Sequence, residues 1–86
     1  MKKVTMMYLK SCPYCKQAMK WMEELFKEYP SYKNIDITYI EESEQPQLAN
    51  TLDYWYVPTY FVDGVKLHEG AATKDKIKAV LEEAIK

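Results

Sequence analysis

The chain has 86 residues, 48% of them hydrophobic, which predicts one domain over residues 1–86 with a modest core. Its net charge is −1, it contains no run of basic residues, and every basic residue is a lysine; this argues against a nucleic-acid partner and leaves no guanidinium for anion recognition. No apolar stretch approaches membrane-spanning length, so we expect no membrane partner.

A short apolar run, residues 4–9, follows Met1-Lys2-Lys3. It does not alternate, which is typical of a central strand covered on both faces. The run is too short for the apolar core of a signal peptide and lacks a cleavage site, so we expect a cytoplasmic protein. A reducing cytoplasm has little use for a structural disulfide, which favours another role for the cysteines that follow.

The only two cysteines lie three residues apart in Cys12-Pro13-Tyr14-Cys15, before a helical pattern over residues 13–29. Unpaired N–H groups and the dipole at a helix start favour an anion, so Cys12 is predicted to be the reactive thiolate. Cys15 lies one turn on, on the apolar side, within reach to attack a mixed disulfide. Pro13 suits the first helical turn because its missing N–H would have no partner there.

Other uses of a Cys-x-x-Cys pair fit this sequence less well. A disulfide across so short a loop would constrain the unfolded chain little. A zinc site needs four ligands and the chain adds only His68, which is interpreted as an ordinary strand residue; a c-type haem needs a histidine where Lys16 stands. The sequence therefore predicts a redox-active dithiol that needs no metal and no organic cofactor.

A peripheral strand and a short helix are predicted next. Residues 34–39 alternate between polar and apolar, which is typical of a strand with one buried face. Its apolar set is Ile35, Ile37 and Tyr39. Residues 41–45 are interpreted as an acidic, solvated connection, in which Ser43 caps a helix that carries Pro46 in its first turn and runs to about Leu52.

A proline, Pro58, stands directly before the next apolar strand and follows Val57. Proline is restricted to special positions there because it cannot donate to the ladder. The three residues before Val57 are Tyr54, Trp55 and Tyr56, which cannot all face inward on a strand. We expect at least one to be exposed near the dithiol, where it contacts a partner, with packing against the first helix as the alternative.

The last third of the chain predicts a hairpin and a helix. Asp-Gly at residues 63–64 is a tight-turn signal between strands at residues 59–62 and 65–67. Gly70 marks a turn, and Thr73 is a candidate N-cap. The apolar stripe of the final helix is Ile77, Val80, Leu81, Ala84 and Ile85. The predicted fold is β-α-β-α-β-β-α, an α/β domain with a four-stranded mixed sheet and helices on both faces.

From the first strand to the last helix, the chain resembles the glutaredoxins of the thioredoxin superfamily. The resemblance rests on Cys-Pro-Tyr-Cys, on Tyr-Val-Pro-Thr at residues 56–59 and on the element order. It implies a thiol–disulfide oxidoreductase with Cys12 as nucleophile and Cys15 as resolving thiol. It also implies a cis Val57–Pro58 bond, with the Val57 backbone pairing with the substrate. The remaining substrate-binding residues that it implies are Lys10, Pro13, Tyr14, Gly70 and Thr73.

The resemblance implies disulfide-bearing protein substrates and glutathione as co-substrate, and we expect a monomer. The electron donor stays open between glutathione and a thioredoxin-reductase-type protein. Two alternatives to an enzyme stay open as well. One is a redox sensor or adaptor whose Cys12–Cys15 disulfide gates partner binding; the other is a dimer that holds a metal cluster through Cys12.

Three positions depart from the glutaredoxin pattern. One residue separates Lys10 from Cys12, where glutaredoxins usually have two. Glu69 replaces the first glycine of their Gly-Gly pair and is expected to bring a negative charge towards an anionic ligand, which would weaken glutathione binding. The stretch from Gly70 resembles thioredoxins instead, although Met6 stands where thioredoxins carry a buried aspartate.

Overall fold

The strand that leads to the two cysteines lies inside a four-stranded sheet. The computed structural model describes residues 1–86. Its strands are β1 (Val4–Tyr8), β2 (Ile37–Glu41), β3 (Thr59–Val62) and β4 (Val65–Glu69). Its α-helices are α1 (Pro13–Glu28), α2 (Pro46–Ala49) and α3 (Lys74–Ala84), and a 3₁₀ helix covers Pro30–Asn34. The predicted element order is confirmed, with the 3₁₀ helix as an addition.

The strands follow the order β2-β1-β3-β4. β1 pairs in parallel with β2, as the crossover through α1 requires, and antiparallel with β3. The β3–β4 hairpin turns at Asp63 and Gly64, whose φ angles of 49° and 80° belong to a type I′ turn. Because β1 and β3 run in opposite directions, the end of β1 that leads to Cys12 lies beside the start of β3 that follows Pro58.

Apolar side chains cover both faces of the sheet. On one face, α1 and α3 pack against β1 and β3, and Met6 contributes to this cluster. The buried helix residues are Cys15, Ala18, Met22 and Leu25 from α1 and Ile77, Val80, Leu81 and Ala84 from α3. On the other face, Met7, Ile40 and Phe61 pack with α2 and with the segment before Pro58. Burial on both faces accounts for the lack of alternation in β1.

The ends of the two long helices project beyond this core. Tyr29 ends the predicted helical pattern and Ile85 ends the predicted apolar stripe of the final helix, but they are the C-cap residues of α1 and α3 and are exposed. Tyr29 instead stacks on Tyr32, with ring centroids 5.0 Å apart. The predicted stripe of the final helix is therefore correct within α3 and wrong at Ile85, and the first helix ends one residue before the predicted position.

The second strand differs from its prediction in both start and phase. β2 begins at Ile37, and Ile35 is buried in the connection that precedes it. Tyr39 is 41% exposed, whereas Ile40, which lies just beyond the predicted strand, is 5% exposed. The alternation rule assumes one solvated face, but the second cluster covers Ile40 on the opposite face of this edge strand. Its peripheral position is confirmed.

The short helix is also capped differently than expected. Gln45 is the N-cap of α2, with no side-chain cap, and the helix ends at Ala49 rather than near Leu52. Ser43 donates its N–H and its hydroxyl to Glu41 Oε1, each at 2.6 Å. The serine hydroxyl is thus used two residues upstream and is unavailable to the helix start.

Candidate active site

The two cysteines lie where β1 gives way to α1. Cys12 is the N-cap of α1, with extended backbone angles and no side chain that caps the first turn. The N–H groups of Cys15 and Lys16 both donate to the Cys12 carbonyl at 3.1 Å, which fixes the loop on the helix. Cys12 is half-buried and Cys15 is 1% exposed. The first thiol therefore meets solvent at a helix N-terminus, and the second lies beneath it.

Burial raises the pKa of the Cys15 thiol to about 12. The Leu9 N–H, 3.5 Å from Cys15 Sγ, opposes this by favouring the thiolate, and Cys12 and Glu42 nearby raise the pKa further. At neutral pH Cys15 is therefore a protonated, protected thiol. This asymmetry agrees with the predicted position of Cys15 on the apolar side of the helix.

The Val57–Pro58 bond is cis, as predicted. Pro58 is buried and Val57 is half-buried, at the end of the sheet that also carries Cys12. The Tyr56 carbonyl accepts the Thr59 hydroxyl, and the Pro58 carbonyl accepts the Gly70 N–H at 2.8 Å. Between these two carbonyls, the Val57 N–H and C=O have no partner in the chain. One residue thus presents a free donor and a free acceptor beside the dithiol.

The Glu69 carboxylate is directed at the protein's own backbone. Its Oε2 accepts the N–H groups of Trp55 and Tyr56, the second at 3.0 Å, and its Oε1 accepts Lys66 Nζ at 2.7 Å. Lys66 and these two N–H groups lower the pKa of Glu69 to about 2. The expectation of a charge that faces a ligand is therefore corrected, because this carboxylate is already paired inside the chain.

Lys10 is engaged in a similar way. Its ammonium pairs with Glu44, which raises its pKa, and its backbone N–H donates to Glu41 Oε2 at 3.0 Å. Glu41 is 5% exposed, so the prediction that residues 41–45 are a solvated connection is wrong at its first residue. The N–H of Lys10, with the hydroxyl and N–H of Ser43, lowers the pKa of Glu41 to about 2. Glu41 thereby ties the loop before Cys12 to the end of β2.

The aromatic residues before Val57 divide between surface and core. Trp55 is 86% exposed and Tyr56 is 71% exposed. Tyr54 packs edge-on against Phe61 at 6.4 Å, on the sheet face opposite α1, so packing against the first helix is not what holds it. Its hydroxyl donates to Glu42 at 2.7 Å. Two exposed rings thus border the Val57 backbone, as the sequence predicted for at least one.

The other residues of the predicted substrate rim lie as follows. Pro13 and Tyr14 are exposed in the first turn of α1. Gly70, with φ of 88°, turns the chain out of β4, and the Thr73 side chain accepts the Lys76 N–H at 3.2 Å, which confirms the predicted N-cap. Thr73 Oγ1 therefore already accepts a hydrogen bond within the chain, and Thr73 is exposed at the start of α3.

His68 belongs to β4 and lies outside the dithiol site. Its Nε2 lies 3.1 Å from the carbonyl oxygens of both Gly70 and Ala71, where it supports the turn after the strand. The structure contains no group of three or more His, Cys, Asp or Glu side chains with metal-binding geometry. None of its helices combines the length and the apolarity that crossing a bilayer requires.

Two residues of this region were missed by sequence reasoning. Glu41 opens an acidic run, which predicts a solvated residue, and no motif in the sequence indicates a role for Lys66. A buried carboxylate at a strand end has no signature in the sequence, since one of its partners, the Lys10 N–H, belongs to another loop. The β-bulge between Tyr60 and Phe61, which changes the register of β4, also cannot be read from the strand pattern.

Comparisons with known proteins agree with this architecture. A family model described as a thioredoxin domain matches residues 2–82. The thioredoxin of Methanocaldococcus jannaschii is 36% identical over 75 residues, which span 87% of this chain and 81% of that protein. A mutant thioredoxin from Halobacterium salinarum NRC-1 has a TM-score of 0.71 at 22% identity, over 99% of this chain and 75% of its own. A malarial protein has a TM-score of 0.73 at 18% identity, over 99% and 98% of the two chains; these two structures show the fold alone.

Proposed function

The chain belongs to the thioredoxin-domain family, and from that premise we propose that it is a thiol–disulfide oxidoreductase that reduces disulfides in proteins through Cys12 and Cys15. One observation carries the proposal. A half-buried cysteine at a helix N-terminus lies one turn from a buried cysteine, at the same end of the sheet as the unpaired backbone of Val57.

The first half-reaction consumes the substrate disulfide. The Cys12 thiolate attacks one sulfur of the substrate, the substrate S–S bond breaks, and the leaving thiolate takes a proton from solvent. A mixed disulfide between Cys12 and the substrate forms. The Val57 N–H and C=O support the proposal that the substrate segment binds in an extended conformation, since a free donor and acceptor on one residue pair with a neighbouring strand.

The second half-reaction releases the substrate. Cys15 gives up its proton and attacks Cys12 Sγ, so the mixed disulfide breaks and the second substrate sulfur leaves as a thiol. Two electrons pass from the dithiol to the substrate, and Cys12 and Cys15 become a disulfide. The Leu9 N–H at 3.5 Å favours the Cys15 thiolate as it forms, and its proximity to Cys12 makes the attack intramolecular.

The electron donor forms the finer part of the proposal. The Cys-Pro-Tyr-Cys motif is glutaredoxin-like and favours glutathione, whereas the stretch after Gly70 is thioredoxin-like. Lys10, the candidate partner for a glutathione carboxylate, is paired with Glu44. We therefore propose a reductase of the thioredoxin-reductase type as the first candidate electron donor and glutathione as the second. We also propose that the protein acts as a monomer without a prosthetic group, in a reducing compartment such as the cytoplasm.

A coupled turnover assay tests this function. The wild type, Cys12→Ser and Cys15→Ser are each supplied with a disulfide-bonded protein such as insulin and with either reductant. We expect turnover only for the wild type and a persistent mixed disulfide in Cys15→Ser. A wild type that becomes oxidised but does not turn over with either reductant would contradict the enzyme and favour the redox sensor, in which the exposed Trp55 and Tyr56 contact a partner.

A further inference from the structure

Two residues of β4, Lys66 and Glu69, form hydrogen bonds to the backbone of the segment between α2 and Pro58. Oε2 of Glu69 accepts two consecutive backbone N–H groups, from Trp55 and Tyr56. Oε1 of Glu69 accepts Lys66 Nζ at 2.7 Å, and the same ammonium donates to the Asp53 carbonyl at 3.1 Å. These contacts join both ends of the segment to one strand, and the two β4 side chains are 35% and 20% exposed for Lys66 and Glu69.

Tyr54 and Val57 of this segment pack on the second cluster, whereas Trp55 and Tyr56 between them do not. The side chains of Trp55 and Tyr56 project into solvent, and neither residue belongs to a helix or a strand. Their N–H groups have no partner other than Glu69. The N–H side of the Trp55 and Tyr56 backbone is therefore held by charge-assisted hydrogen bonds to one carboxylate, which are stronger than neutral ones.

We propose that Glu69 and Lys66, the β4 clasp, are positioning residues that hold the segment before Pro58 so that the Val57 N–H and C=O face an extended protein substrate. This deepens the proposed function and rests on it. The clasp takes the N–H groups of Trp55 and Tyr56. Val57 is the next residue along the chain, and both its N–H and its C=O remain free.

The clasp is expected to act on binding rather than on chemistry. The hydrogen bonds of the two clasp side chains go to each other and to the backbone of residues 53–56, not to Cys12 or Cys15. Without it, the segment has to be ordered each time a protein substrate binds, which weakens binding and leaves the attack at sulfur unchanged. A small disulfide without a peptide backbone makes no strand-like pairing with Val57, so its turnover does not depend on the clasp.

The test compares two substrates and four variants. Insulin and bis(2-hydroxyethyl) disulfide are reduced by the wild type, Glu69→Gln, Glu69→Asp, Lys66→Met and Glu83→Gln. The last is the matched control, since it also removes one carboxylate, which pairs with Lys2 and Lys86 away from the dithiol. We expect Glu69→Gln to raise KM for insulin about tenfold at unchanged kcat, with no change for the small disulfide.

The other variants should change the KM for insulin less than Glu69→Gln does, or not at all. Glu69→Asp keeps the charge, so its KM for insulin should lie between the values for the wild type and for Glu69→Gln. Lys66→Met leaves both N–H bonds in place, so it should raise the KM for insulin less than Glu69→Gln does. Glu83→Gln should match the wild type. A direct readout is amide hydrogen exchange at Trp55 and Tyr56 by NMR, which should quicken in Glu69→Gln and stay unchanged in the control.

The outcomes separate the two proposals. An inactive wild type refutes the oxidoreductase, whatever the exchange data show. An active wild type with the same insulin KM in Glu69→Gln, or with both substrates affected equally, refutes the clasp as a positioning device. If Glu69→Gln does not fold, the same comparison of the two substrates is made with Lys66→Met, because Lys66 is the more exposed of the two clasp side chains.

Discussion

Alkylation of the reduced, folded protein should label Cys12 and spare Cys15. Cys15 is 1% exposed, and its pKa is raised from 9.0 to about 12, chiefly by burial. Only the thiolate reacts, so at any pH well below 9.0 the reactive fraction of Cys15 is about a thousandfold smaller than that of an unperturbed thiol. Burial adds a steric barrier to this electrostatic one.

The assay follows iodoacetamide modification by mass spectrometry in Cys12→Ser and Cys15→Ser, so that each thiol is measured alone. We expect Cys15 to react at least about a hundredfold more slowly than Cys12 near neutral pH. The rate at Cys15 should rise about tenfold per pH unit without a plateau below the pKa of about 12. Both variants in denaturant, where the environments are equal, should react alike.

Two results would refute this reasoning. Comparable rates for the two folded variants would show that burial does not protect Cys15, and the assignment of nucleophile and resolving thiol would then fail. A plateau in the Cys15 rate near pH 9.0 would show an unperturbed thiol and remove the desolvation argument. The Cys12→Ser variant retains the burial of Cys15, the largest cause of the raised pKa, so it is a fair test.

Three further outcomes follow from the fold. Thr73→Ala should lower the free energy of unfolding by about 1 kcal/mol in denaturant titration, because the Lys76 N–H loses its cap; no change would mean that water replaces it. Leu25→Ala should cost about 2–5 kcal/mol, and a smaller loss would show that the core collapses around the cavity. Glu41 has a pKa lowered from 4.5 to about 2, so its contribution is present above pH 4.5 and is lost as pH falls towards 2. Glu41→Gln should reduce stability near neutral pH and flatten this acid dependence, and an unchanged acid profile would contradict the assignment.

The features that the sequence predicts well are encoded by adjacent residues. The two cysteines and Pro13 define a helix start by themselves, because each acts on the next turn of backbone. The Asp-Gly turn at residues 63–64 fixes a hairpin in the same local way, and Thr73 needs only the N–H three residues ahead. Their physical causes lie within one turn of chain, so no tertiary information is required.

The features that the sequence misses depend on what lies across the fold. Ser43 has the hydroxyl that an N-cap needs, but this hydroxyl donates to Glu41 and not to the start of α2. Glu41 is buried and also accepts the Lys10 N–H from the loop before Cys12. Ile40 falls out of the alternation because a second cluster covers the far face of the sheet at that point. In both cases a local rule holds, and a tertiary contact supplies the stronger interaction.

The same argument applies to the charges near the dithiol and bears on substrate choice. A sequence shows that Glu69 and Lys10 are charged, but not that each is paired, one with Lys66 and the other with Glu44. The Lys10–Glu44 pair is exposed and costs little to break, so it does not bar an anionic ligand outright. A small anion would have to compete with Glu44 for Lys10 and with Glu69 for Lys66. An extended peptide meets no such competitor at Val57, whose backbone groups are free, and we propose on this ground that protein disulfides are preferred over glutathione as substrates.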